Sequence, residues 1–366
     1  MKIAAAILKA PKQPFSVEQV DLDEPRPGEV LVKLAAAGVC HSDWHLASGA
    51  TKHPMPVVAG HEGAGIVQAV GEDVTGITSG EHVILNWAPA CGQCFYCQRG
   101  KPNLCETYVG PIWAGTMLDG TTRLHWKGKP LYHWCGLACF AQHCVVPQQS
   151  CVVIRRDLPL TIAALVGCAV STGVGAVIYT ARLKPGESAV VFGCGGVGLS
   201  MIQAAVLAGA VKVIAVDTNA TKLELAKRLG ATHAVFANSE SLKVIQELTD
   251  GRGADHAFEA VGLPEIQERA FAAARPGGTV TLAGLSPMGS ATNLPGSLIT
   301  RQEKTIKGSY YGSVNPARDF PMILDLYSAG RLKLDQLISR QWRLDQINDA
   351  FAAMLSGDIA RGVITF

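Results

Sequence analysis

Apolar residues fall along this chain in two rhythms. Up to about residue 165 they come in short runs, KIAAAIL, VLVKLAAAG and GAGIVQAVG, broken by Pro-Gly and Gly-Glu pairs. Short apolar runs bounded by turn residues predict β-strands and a mostly β domain. From roughly residue 170, strand-like and helix-like segments alternate: AVVFG, LSMIQAAVLAG, VKVIAVD, TKLELAKRLGA, THAVFA, LKVIQELTD, ADHAFEAVG, PEIQERAFAAAR, GTVTLAG and TIKGSYYG, closing near residue 311. That alternation predicts an α/β domain with a doubly wound parallel sheet. The tail, with FPMILDLYSAGRL and INDAFAAMLSG, is expected to return to the first domain as helices and a strand. A chain of 366 residues exceeds one comfortable core. The expected division is 1–169, then 170–311, then 312–366.

Composition narrows the class without naming it. Net charge is +2, with no basic block and no charged tail, so neither a nucleic acid nor a membrane surface is an expected partner. Two stretches, Leu158 to Ala181 and Ser188 to Val211, carry no Asp, Glu, Lys or Arg and are long enough to span a bilayer. Both are interrupted by glycine, and the first also by proline and hydroxyl residues, so buried elements of an α/β protein are the expectation. Eleven cysteines behind an N-terminus with no signal-peptide pattern suit a reducing cytoplasm.

The cysteines also carry the first chemistry. Cys91, Cys94, Cys97 and Cys105 lie within fifteen residues, with Gly92, Gly100 and Pro102 to turn the chain. Four thiolates at this spacing can converge on one ion at about 2.3 Å each, as in a structural zinc site; the alternative, two disulfides, needs an oxidising compartment. A second, dispersed set comprises Cys40 in GVCHSDWH, His61 and Glu62 in AGHEGAGIV, and Cys168 in LVGCAVSTG. Two thiolates and an imidazole form an open zinc site, although each residue alone is more often an inert core residue. Asp43 would orient His61 by accepting its second ring N–H, or else cap a helix.

The middle of the chain adds a dinucleotide signature. A short apolar strand runs into Gly193-Cys-Gly195-Gly196-Val-Gly198 and then a buried helix, and a second strand ends at Asp217, 19 residues after Gly198. Glycines there permit a tight turn and close approach to pyrophosphate, while the acid accepts both ribose hydroxyls and repels a 2′-phosphate, favouring NAD.

With these motifs in place, the chain resembles, over essentially its whole length, the zinc-dependent alcohol dehydrogenases of the medium-chain dehydrogenase/reductase superfamily. The matching stretches include VLVKLAAAGVCHSDWHLASG, GHEGAGIV, the four-cysteine lobe, GCAVSTG, VVFGCGGVGLS and SGDIARGVITF. The segment from DGTTR to LYHW is similar to the longer subfamily that contains the liver-type and glutathione-dependent formaldehyde dehydrogenases. The resemblance implies a GroES-like catalytic domain, two zinc ions per chain and hydride transfer from an alcohol to NAD. It places Ser42 and His45 on a proton relay and Glu62 behind the zinc as a tuning group. It carries cofactor contacts onto His41, Thr172, Gly193, Gly195, Gly196, Val197, Gly198, Asp217, Lys222 and Arg361. Many relatives have an Arg where His41 stands. Trp87, Trp134 and Tyr310 match positions lining the substrate site, implying aromatic or medium-length primary alcohols. ETYVGPIW lacks the Arg expected for glutathione's carboxylate, which disfavours that substrate. Polyol dehydrogenases usually replace Cys168 by an acid, and zinc-free quinone reductases lack the ligands. The resemblance also implies a homodimer, with a tetramer as the alternative.

Overall fold

The largely apolar segment Glu29–Val39 becomes the central strand of the first sheet in the computed structural model, which describes residues 1–366. It pairs antiparallel with Gly63–Val70, His143–Pro147 and the C-terminal strand Arg361–Thr365. His82–Leu85 and Cys151–Ile154 extend the sheet on one side and Ile338–Arg343 on the other. Beside it, Lys2–Leu8, Ser16–Leu22, Leu124–Trp126, Lys129–His133 and Val57–Val58 close into a small barrel. Ile3, Ala5 and Ile7, spaced by two, put one face of the first strand into a core with Val20, Leu22, Leu124 and Leu131. The DGTTR segment is anchored here: Arg123, buried, donates to Glu29 through Nε at 2.9 Å and Nη2 at 2.6 Å, and to Asp119 at 2.8 Å.

The second sheet has the order His233–Phe236, Lys212–Asp217, Ser188–Phe192, Ala254–Glu259, Ala274–Leu282, Thr305–Gly308, and every pairing is parallel. Numbered along the chain these strands run 3-2-1-4-5-6, the doubly wound order anticipated from the alternation of segments. Strand order reverses between Ser188–Phe192 and Ala254–Glu259, so the crevice suited to a ligand lies at their carboxyl ends.

The chain forms two compact units, Met1–Cys168 with Asn315–Leu326 and Leu334–Phe366, and Ala169–Val314 with Tyr327–Lys333. The second boundary falls three residues beyond the expected 311. Tyr311, Gly312 and Ser313 all have positive φ and form a left-handed turn tied into the second unit. Ser313 Oγ lies 2.9 Å from Thr180 Oγ1, and a Cβ on Gly312 would fall 2.5 Å from the Ser171 carbonyl oxygen. The stretch Tyr327–Lys333, expected in the returning tail, joins the second unit as well. Lys333 donates its backbone N–H to Gln203 Oε1 at 2.6 Å and its Nζ to the Arg228 carbonyl at 3.1 Å.

The uncharged segment Leu160–Ala181 is one helical run long and apolar enough to cross a membrane, yet its most apolar stretch of 18 residues, with mean hydropathy 2.0, is 89% buried within the fold. It contains two π-helical stretches, Val166–Val170 and Ala176–Ala181.

Candidate metal centre and cofactor loop

Cys40, His61 and Cys168 arrive from three different elements of the first unit. Cys40 directly follows the central strand and stands as N-cap of the helix His41–Ser48, His61 precedes the strand Gly63–Val70, and Cys168 sits in the π-helical turn Val166–Val170. π-turns recur at functional sites because the extra residue redirects a side chain. The ligand atoms of these three and of Glu62 lie within 4.8 Å of one another, and all four residues are buried. Asp43 Oδ1, fully buried, accepts the His61 Nδ1–H and the Gly60 N–H, each at 3.0 Å. His61 Nε2 is thereby the ring nitrogen left to face the sulfurs, buried and without a hydrogen-bond partner in the chain. A buried ring nitrogen left unpaired beside two sulfurs is costly unless a cation binds among them, so the donor set fits zinc.

The protonation pattern agrees. Hydrogen bonding from Cys168 holds the Cys40 thiol well below its ordinary range, while the same contact and burial push Cys168 well above. One proton is thus shared between two sulfurs, as expected for a pair that binds a cation as thiolates. Burial pulls the His61 pKa down, but the Asp43 carboxylate and Cys168 together outweigh it and raise it well above its usual value, so these surroundings favour a cation on the imidazole, whether a proton or a metal ion.

Glu62 stands behind the ligands. Burial raises its carboxyl to about 7 against the opposing pull of Arg361. Arg361 Nη2 donates to Glu62 Oε2, and both side chains are buried in the first unit. The guanidinium expected to contact the cofactor therefore also engages Glu62 and Cys40, beside the metal-binding set.

Ser42 and His45 lie one turn apart on the helix His41–Ser48 and so share a face. Ser42 Oγ is 3.8 Å from Cys40 Sγ. Both side chains are half-buried, and burial lowers the His45 pKa. His41 is exposed.

Of the aromatic residues, Trp87 packs edge-on to the His61 ring, with centroids 6.5 Å apart. Trp134 is 2% exposed and enclosed edge-to-face by Trp113 at 5.7 Å and His53 at 5.1 Å. Neither neighbour stood out in the sequence. Trp113 closes the ETYVGPIW helix Glu106–Ala114, and helical spacing alone does not show where such a residue packs. Tyr310 belongs to the second unit and immediately precedes the left-handed turn.

The four lobe cysteines also converge within 4.8 Å. The Cys91 N–H points at Cys105 Sγ and the Cys94 N–H at Cys91 Sγ, both at 3.3 Å, an arrangement that stabilises thiolates. A hydrogen bond from Thr107 draws the Cys91 thiol down to about 6, whereas burial lifts Cys97 to about 12. No side-chain position is left open for substrate in this set.

In the second unit the strand Ser188–Phe192 leads into Gly193–Gly195, and the helix Gly196–Leu207 begins at once. A Cβ on Gly198 would fall 1.8 Å from the Gly193 carbonyl oxygen, so only glycine permits this helix-on-turn packing. A Cβ on Gly195 would meet nothing within 4 Å, leaving open space at the helix N-terminus where a phosphate binds favourably. Val197 lies in the first turn of that helix, and its carbonyl would be 2.4 Å from a Cβ on Gly173, next to Thr172. Asp217 ends the neighbouring strand; its Oδ2 accepts the Cys194 N–H at 2.6 Å and its Oδ1 the Asn219 N–H at 2.8 Å. Asn219 caps the next helix, whose first turn carries Lys222.

Residues 26–156 match the alcohol dehydrogenase GroES-like domain and residues 196–329 the zinc-binding dehydrogenase domain. Putative alcohol dehydrogenase D of Mycobacterium tuberculosis (strain CDC 1551 / Oshkosh) is 42% identical, the match covering 100% of both chains. The NDMA-dependent alcohol dehydrogenase of Amycolatopsis methanolica is 41% identical over 100% of this chain and 99% of its own. Among solved structures, benzyl alcohol dehydrogenase from Acinetobacter calcoaceticus superposes with a TM-score of 0.95 at 32% identity, covering 100% of this chain and 99% of the other. The chain belongs to the zinc-dependent alcohol dehydrogenases of the medium-chain dehydrogenase/reductase superfamily. It is an oxidoreductase of a family that uses zinc and a nicotinamide cofactor.

Proposed function

We propose that the protein oxidises primary aromatic or medium-chain alcohols to aldehydes, reversibly, with NAD as hydride acceptor and two zinc ions per chain. The observation that carries this reading is the buried, unpartnered His61 Nε2 among Cys40 Sγ and Cys168 Sγ, a three-ligand set of the kind that leaves zinc a fourth position for an oxygen ligand. When bound, zinc would act as a Lewis acid that lowers the alcohol's pKa, and NAD would take the hydride.

The chain's own residues do the rest. Cys40, His61 and Cys168 would hold the metal, and Asp43 fixes which His61 nitrogen faces it. Ser42 would accept the alcohol's proton while donating its own onward, and half-buried His45, kept neutral by its surroundings, would receive it. Arg361 offsets the charge of Glu62, so that a buried carboxylate can stand behind the thiolates. Cys91, Cys94, Cys97 and Cys105 would hold the second, structural zinc. In the second unit Gly193–Gly198 would receive the pyrophosphate, and Asp217 would select NAD by repelling a 2′-phosphate.

The substrate class rests on the indole of Trp87, which packs beside the His61 ring, and on the likeness to a benzyl alcohol dehydrogenase. A panel of benzylic, aliphatic and polyol substrates with NAD tests the reading, repeated with NDMA as acceptor because one relative depends on it. NAD-dependent oxidation of benzyl alcohol above the polyols is expected. Turnover supported by NDMA but not by added NAD would replace freely exchanging NAD with a different acceptor.

A further inference from the structure

Glu259 is fully buried, ionisable and outside the machinery described so far. It ends the strand Ala254–Glu259, one of the two strands between which the sheet order reverses, and lies opposite Phe192, the last residue before Gly193. Parallel strands leave backbone N–H groups unsatisfied where the chain turns away at their carboxyl ends, and in this fold that is where the cofactor binds.

The side chain fills that need. Glu259 Oε1 accepts the N–H groups of Val261 and Gly262, each at 2.6 Å. Oε2 lies on the side of the adjoining strand, where a Cβ on Gly284 would come within 2.7 Å of it. The Glu259 carbonyl accepts the N–H groups of Ala283 and Gly284 at 2.9 and 3.1 Å, so this one residue ties together the ends of two neighbouring strands. The loop so fixed presses on the phosphate turn: Ala260 donates to the Phe192 carbonyl at 3.0 Å, and a Cβ on Gly193 would stand 2.6 Å from Val261 Cγ2. Val261 itself is 42% exposed, an apolar side chain held at the ligand-binding end of the sheet.

We infer that Glu259 is a positioning residue for the nicotinamide cofactor, locking the Ala260–Gly262 loop against Gly193 so that the phosphate turn is formed before the cofactor arrives. A carboxylate in this position is costly to bury, and burial raises its pKa while the Gly262 and Val261 N–H groups oppose the rise. An apolar residue would pack there without that cost and would leave the two N–H groups unsatisfied, which ties the role to the oxygen's hydrogen bonds rather than to filling space. The inference rests on the reading of Gly193–Gly198 as the cofactor loop.

The test measures NADH dissociation constants by titration, together with zinc content, kcat and the KM for NAD and for alcohol, in wild type, Glu259→Gln and Glu259→Leu. Glu259→Gln keeps an acceptor oxygen for both N–H groups and is expected within about threefold of wild type, whereas Glu259→Leu is expected to bind NADH at least about tenfold more weakly, as for a buried donor left unpaired. Zinc content and kcat at saturating NAD should stay unchanged, with the loss confined to NADH affinity and the KM for NAD. Should Glu259→Leu fail to fold, Glu259→Asp, which keeps the charge but withdraws the oxygen, carries the same expected loss. Unchanged NADH affinity in the folded variant overturns the inference, and so does a parallel fall in zinc content and kcat, which would mark a general structural role. Failure of the wild-type protein to bind NADH would overturn the cofactor reading itself.

Discussion

Asp43 Oδ1 stands 3.0 Å from His61 Nδ1, fully buried, and so leaves the other imidazole nitrogen as the one to face a metal. Replacing Asp43 by Ala removes the acceptor and frees the ring to rotate. Loss of an outer partner of this kind costs about 10–100-fold in metal affinity or activity. Zinc competition with a chelator should show weaker retention of one ion in Asp43→Ala, and equal retention would show that His61 is oriented by something else.

The two cysteine sets should respond differently to mutation. Cys168→Ala is expected to lose one zinc and essentially all alcohol oxidation while keeping NADH affinity, because the glycine loop belongs to the other unit. Cys97→Ala is expected chiefly to lower the melting temperature, since that set leaves no open coordination position. Zinc content, turnover and calorimetry on the two variants check the contrast. Near-normal turnover in Cys168→Ala would remove it from the catalytic centre.

Acid sensitivity should trace in part to His133. Its Nε2 accepts the Arg123 N–H at 3.1 Å, and burial together with Arg123 lowers its pKa to about 3. In the unfolded chain the imidazole titrates near ~6.5. Between those values the unfolded state binds a proton that the folded state refuses, so stability is full above about 6.5 and falls as pH drops toward 3. At pH 5 the loss attributable to this group is about 2 kcal/mol. Melting temperature against pH should fall less steeply in His133→Gln, which retains an acceptor; an unchanged slope would assign the acid sensitivity to other groups.

Cofactor choice should follow Asp217. NAD is expected to be preferred over NADP by at least ~100-fold in kcat/KM, equivalent to ~2.7 kcal/mol, and Asp217→Ser should erode most of that preference. Comparable efficiencies with both cofactors in the wild type would refute the role of the carboxylate.

Short-range features were readable from the amino-acid order and long-range ones were not. The Cys91–Cys105 lobe and the Gly193–Gly198 loop are built from neighbours, so spacing alone announces them. Arg361 lies 299 positions from Glu62, and no local pattern reveals that the two meet. Glu259 escaped notice for a related reason. A glutamate closing an apolar strand looks like the start of a solvated loop until the fold buries it under the Val261 and Gly262 N–H groups. The end of the second unit at Val314 depends on the left-handed Tyr311–Ser313 turn, a conformation that two non-glycine residues of the three give no reason to expect.

Assembly is open to the same kind of test. Thr305–Gly308 is the last strand of the parallel sheet and pairs on one side only within the chain, which leaves backbone groups available to a two-fold mate. Light scattering is expected to give a homodimer of twice 38.6 kDa. A monomer would refute pairing through this edge.

The central claim is that Cys40, His61 and Cys168 hold a zinc ion on which alcohol oxidation depends. Its most direct measurement is elemental zinc paired with NADH formation from benzyl alcohol, taken on the same preparations of wild type and Cys168→Ala. Two zinc ions per chain with NAD-linked turnover in the wild type, falling to one ion and no turnover in the variant, is the expected result. Equal zinc content in both proteins, or turnover that survives the loss of Cys168, would contradict the account.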